Sequence, residues 1–212
     1  MANILLGVTG SVAAVKTPLL FETLRRAGNA VKVVATQASL YFFDPTNIAR
    51  DSLVLDEDEW PGRNEGRRWQ RDDEVLHIQL RRWADLLLIA PLDANTLAKV
   101  ANGLADNCLT CVWRAWEPGR PVVLAPAMNT LMWQHPATDR HLRQIAADMG
   151  AMPPSELTLD ALLNWINAHC PRLRIVAPED RRLACGDVGI GAIAALDTIA
   201  EQVQLILDEP ES

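Results

Sequence analysis

The sequence predicts an α/β fold: a doubly wound, mainly parallel sheet flanked by helices, Rossmann-like, in a single domain spanning 1–212. Three observations carry this. Apolar runs of strand length recur at 3–8, 31–35, 86–90, 122–125 and 174–177. Stretches with helical spacing separate them, and strand–helix alternation marks a parallel sheet covered by helices. The 212 residues are 49% hydrophobic and 22% charged, a globular composition with enough chain for one full core.

The first strand runs into Thr9, Gly10 and Ser11, after which a helical pattern continues to Ala27 and stops at Gly28. A strand, a glycine turn and a helix start can bind phosphate; the same glycine also serves a plain tight turn. The spacing of Gly7 and Gly10 is neither a dinucleotide fingerprint nor a Walker A loop. Thr36 and Gln37 end the second strand and open a short helix, so Thr36 reads as a cap or as a ligand-facing hydroxyl. Residues 44–74 are polar and read as an irregular flap containing Trp60 and Trp69, with the acidic run Asp56–Glu59 as solvated surface.

Residues 75–84 predict a helix with Leu76, Leu80 and Trp83 on its apolar face. His77 lies one position round, where a histidine is more often structural than functional. Leu86 to Ala90 is the plainest buried strand, and Asp93, Asn95 and Thr96 follow as caps or as a polar cluster for a ligand. Cys108 and Cys111 match C-x-x-C without a second ligand pair, so they read as small buried residues and no metal is expected. Pro121 and Pro126 bound the next strand. Beyond it Asn129 and Met132 occupy the place where open α/β sheets bind ligands, or else are a satisfied loop amide and a core thioether. Helices are expected at 139–149, at 155–168 with Ser155 as its cap, and at 197–207. The glycine-rich stretch 181–192, with Cys185 at its hinge, reads as a mobile loop able to close over a site.

A net charge of −7 argues against a nucleic-acid partner. No apolar run reaches the roughly 18 residues of a membrane span. The start enters a strand without the basic region of a signal peptide, and four unframed cysteines fit a reducing cytoplasm.

Beyond the opening stretch Gly7–Ala14 (GVTGSVAA), four blocks in order carry a more specific likeness: Leu76–Trp83 (LHIQLRRW), Pro91–Thr96 (PLDANT), Pro126–Trp133 (PAMNTLMW) and Leu183–Asp187 (LACGD). With them the chain closely resembles the homo-oligomeric flavin-containing cysteine decarboxylases over nearly its whole length. The resemblance implies bound FMN, contacted by Gly10, Ser11, Val12, Thr36, Asp93, Ala94, Asn95, Thr96 and Ala127. It implies a trimer, or trimers assembled further, with flavin at the subunit interface. It makes His77 a catalytic residue reaching across that interface. Asn129 and Met132 would hold a small-molecule substrate, with Arg182 and Ala184 as further contacts and Cys185 as the acid of the reducing step. The implied reaction oxidises a cysteine-derived thiol to a thioaldehyde, releases CO2 and re-reduces the enethiol.

Two features depart from the family pattern. Asp93 stands where other members carry serine, and 152–172 looks like an insertion. Three alternatives share the fold. The first is a non-catalytic FMN-binding regulator, for which the acidic C-terminus is too short. The others are a peptidyl-cysteine decarboxylase and a flavin prenyltransferase, the latter without need of the Asn129, Met132 and Cys185 sets.

Overall fold

The computed structural model describes residues 1–182 and 188–209. Six strands form one parallel sheet: β1 (Asn3–Val8), β2 (Ala30–Ala35), β3 (Leu53–Leu55), β4 (Leu86–Leu92), β5 (Val122–Pro126) and β6 (Leu173–Ile175). Their order is β3-β2-β1-β4-β5-β6, which reverses direction between β1 and β4. Sheets wound this way open a crevice at that switch point, outside the carboxyl ends of the strands. The Rossmann-like expectation is met.

β4 is the anchor. Leu86, Leu87, Leu88 and Ile89 are all fully buried, each contributing about 1.5–3 kcal/mol relative to an exposed position. Successive side chains of a strand alternate in direction. Leu87 and Ile89 accordingly enter one core, whereas Leu86 and Leu88 enter the other. The second core is closed by α1 (Thr17–Arg26) and by the last helix. The first takes most of the remaining helices, introduced here in chain order. After α2 (Asp56–Glu59), which adds no apolar side chain to it, they are α3 (Leu76–Trp83), α4 (Ala94–Ala101), α5 (Cys108–Arg114), α6 (Thr130–Trp133), α7 (Pro136–Asp148) and α8 (Leu159–His169). The last helix, α9 (Leu196–Asp208), lays Ile199, Val203 and Ile206 on the second core.

Several elements differ from the sequence reading, each for a physical reason. The first helix does not start at Ser11: Val12–Lys16 is a 3₁₀ turn, and α1 begins at Thr17 with Pro18 in its first turn, where a missing N–H costs nothing. Gly28 at φ +89° ends it, with its N–H on the Arg25 carbonyl. The 44–74 stretch is not wholly irregular, since it contains the edge strand β3 and the turn of helix α2. α8 is capped by Thr158 and not by Ser155. It packs Leu162, Leu163 and Ile166 into the first core and leads directly into β6. The glycine-rich stretch is not simply a loop. β7 (Glu179–Arg182) and β8 (Val188–Ala192) form an antiparallel hairpin separate from the main sheet. Among the described residues, no helix is long and apolar enough to cross a membrane, and no group of three or more side chains is arranged to hold a metal.

Candidate active site

The carboxyl ends of β1 and β4 are tied together across the switch point by a residue the sequence reading passed over. Thr9 is fully buried. Its hydroxyl donates to the Pro91 carbonyl at 2.8 Å and accepts from the Asp93 N–H at 2.7 Å. A hydroxyl beside a turn glycine was the available signal, and it read as part of the turn. Gly10 follows in a space with no room for a side chain: a Cβ there would lie 2.8 Å from Ala38 Cβ and 3.2 Å from Asp93 Oδ2. The missing side chain lets this turn pack closely against Ala38 and the Asp93 carboxylate.

Asp93 is the N-cap of α4. Its Oδ1 accepts from the Thr96 N–H at 2.7 Å while Oδ2 faces Gly10. An anion is at home at a helix N-terminus, which accounts for aspartate at this position. Ala94 is half-buried, Asn95 is exposed and Thr96 is buried. Ser11 accepts from the Ala13 N–H at 3.3 Å, and Val12 beside it is 47% exposed. Thr36, at the end of β2, is buried and donates its hydroxyl to the Val8 carbonyl at 3.2 Å. That hydroxyl fastens β2 to β1, so Thr36 shapes the crevice wall as well as standing beside it. Ala127, beyond β5, is buried and donates its N–H to the Leu92 carbonyl at 2.9 Å. The nine residues expected to contact a cofactor therefore lie along neighbouring carboxyl ends of one sheet. Gly10 and Asp93 face each other at the reversal of strand order.

Asn129 caps α6, its Oδ1 accepting from the Leu131 N–H at 2.9 Å. Trp133 anchors that short helix in the core at 1% exposure, whereas Met132 is half exposed. Met132 is therefore not the core thioether that its sequence also allowed. The β7–β8 hairpin presses on this turn. The Met128 N–H donates to the Gly191 carbonyl at 3.0 Å. A Cβ on Gly189 would come within 2.6 Å of Thr130 Oγ1, and one on Gly191 within 2.1 Å of the Met128 carbonyl. Gly191 itself has φ +143°. These glycines serve close backbone approach more than mobility. The Arg182 backbone pairs with Val188 at the far end of the hairpin. Ala184 and Cys185 lie outside the described residues.

His77 opens α3, and its partner overturns the solvated reading of the acidic run. Glu59 is buried, with its side chain 4% exposed. Its Oε1 lies 2.5 Å from His77 Nδ1, and its Oε2 accepts the His77 backbone N–H at 3.0 Å. Burial first, then the negative charge of Glu59, pushes the Cys108 thiol far above its ordinary range. Cys111, only half-buried, is raised by burial and by Glu59 as well. Asp56 accepts from the Gln37 and Cys108 N–H groups at 2.9 and 3.3 Å, and burial raises its carboxyl despite both bonds. Asp58 accepts from the Leu55 N–H and pairs with Arg50. His77 is thereby seated on the β3 side of the sheet.

A switch-point crevice of this build, dressed with hydroxyl, amide and carboxylate groups, is a cofactor site of the nucleotide-binding type. The flavoprotein family model matches residues 1–207. The chain belongs to the flavoprotein family. Phosphopantothenoylcysteine decarboxylase of Mus musculus is 43% identical over 209 residues, covering 98% of this chain and 88% of the mouse protein. Among solved structures, a cysteine-to-serine mutant of PPC decarboxylase complexed with pantothenoylaminoethenethiol is 40% identical. It superposes with a TM-score of 0.78 over 98% of this chain and 99% of that one. The FMN binding protein AtHal3 is 39% identical, with a TM-score of 0.76 over 100% and 99% of the two chains.

Proposed function

We propose that this protein is an FMN-dependent decarboxylase that converts 4′-phosphopantothenoylcysteine to 4′-phosphopantetheine in coenzyme A biosynthesis. One observation carries the reading: the hairpin holding Arg182 and leading to Cys185 is seated on the Asn129–Met132 turn, beside the crevice at the switch point. The residues fit FMN in kind. Gly10 lets the turn after β1 close on the Asp93 side, Ser11 and Asn95 offer polar groups at two helix starts, and Ala127 puts only a methyl group at the β5 exit.

When bound, FMN supplies the two-electron oxidation of the substrate CH2–SH to a thioaldehyde and later the return of those electrons. The chain supplies the rest. His77 accepts the thiol proton. Asn129 holds the substrate carboxylate with an amide and no fixed cation, so the charge departs as CO2 without breaking an ion pair. Departure of CO2 leaves its electron pair on carbon, where conjugation with C=S stabilises it as an enethiol. Met132 packs against the apolar part of the substrate, Arg182 answers its phosphate, and Cys185 delivers the proton that accompanies re-reduction. The mutant PPC decarboxylase, complexed with an ethenethiol, supports this division between CO2 loss and reduction.

The site reading also includes assembly. Val12, Val15 and Leu19 are 47%, 56% and 59% exposed at helical spacing beside the crevice, an apolar stripe of the kind that seats another subunit. In a trimer closed along this stripe, His77 of one subunit serves the crevice of the next. The test of the function is direct. Purified protein supplied with FMN and 4′-phosphopantothenoylcysteine is expected to release CO2 and form 4′-phosphopantetheine in equal amounts. Flavin binding with no CO2 release would instead identify a non-catalytic flavin-binding protein.

A further inference from the structure

Glu59 lies outside every role assigned above. A buried carboxylate is costly unless its oxygens are answered by donors. Here both are answered, by the backbone N–H of His77 at 3.0 Å and by the ring at 2.5 Å. These contacts grip the histidine at two points, fixing ring and helix start together.

We propose that Glu59 is a positioning residue for His77: it holds the ring as the Nδ1–H tautomer and leaves Nε2 as the proton acceptor. The role deepens the reading of His77 as the base and rests on it. The tautomer of a histidine is set by the bond its other ring nitrogen makes. An ionised carboxylate only accepts, so the nitrogen it faces carries the proton.

Glu59→Gln makes the sharpest test because it preserves shape and reverses the logic. The glutamine oxygen is retained by the His77 backbone N–H, and its NH2 group then faces Nδ1 as a donor. The ring is expected to switch to the Nε2–H tautomer, with its outward nitrogen no longer able to accept a proton. The protein has four histidines, so nitrogen-15 spectra of histidine-labelled protein, with His77→Asn to assign the signal, read the tautomer directly. The wild type is expected to show a protonated Nδ1 and a bare Nε2, and Glu59→Gln the reverse. Turnover is expected to fall by about 10²-fold or more at unchanged KM, within the range a general acid–base group contributes. A wild-type ring protonated at Nε2 at neutral pH overturns the proposal, even if the variant does not fold. So does a folded Glu59→Gln variant with an unchanged tautomer or wild-type kcat. The spectra need no substrate. A protein that turns nothing over would therefore refute the decarboxylase reading while this test still returned its own answer.

Discussion

At the scale of single residues, this site depends on a few positions where the chemistry leaves little choice. Gly191 is one. Its φ of +143° and the Met128 carbonyl only 2.1 Å from where a Cβ would stand exclude any side chain. Gly191→Ala is expected to cost about 1–3 kcal/mol in strain, lowering Tm by roughly 2–10 °C for a chain this long. Because the strain falls where the hairpin meets Asn129, kcat should drop more than stability alone explains. Thermal unfolding and steady-state kinetics on the same preparation check both. Glu59 and Thr9 illustrate the opposite problem for a reader of sequence. Glu59 stands in a run of four acidic residues, and such runs are normally solvated. Only the fold reveals that His77 and Cys108 approach it. Thr9 adjoined a glycine turn that accounted for it adequately, although its hydroxyl in fact joins two strand ends distant in sequence.

At the scale of elements, legibility followed burial. β1, β4 and β5 are near-continuous apolar runs because both faces of the sheet are covered, and each was readable from sequence close to its observed bounds. β3 was not. It has three residues, is bracketed by short turns, and pairs only with β2 at the sheet edge, so it lacks the length that makes a periodic signal. The hairpin was missed for a related reason. Its glycines resemble those of a flexible loop, while their function is to let β8 lie against residues 128–130. The candidate site divides the same way. The Gly10, Asp93 and Asn129 turns were legible because polar groups past strand ends have a known place in open sheets. The His77 seat was not, because its partner comes from another element 18 residues away in sequence.

At the scale of the whole molecule, closure of subunits on the Val12–Val15–Leu19 stripe has a consequence for His77. Each working site then combines His77 from one subunit with Asn129 from another. His77→Asn and Asn129→Ala proteins, each inactive alone, should regain activity when unfolded and reassembled together. Random assortment at equal ratio restores about a quarter of the sites. A mixture as inactive as its parents would mean that each subunit works alone. Beneath this lies the claim that the substrate thiol is oxidised so that its carboxyl group can leave, with reduction as a separate later step served by Cys185. Mass analysis of the product formed by Cys185→Ser from 4′-phosphopantothenoylcysteine tests it most directly. CO2 should be released together with a thiol two hydrogens short of 4′-phosphopantetheine; saturated product formed at the wild-type rate would contradict the account.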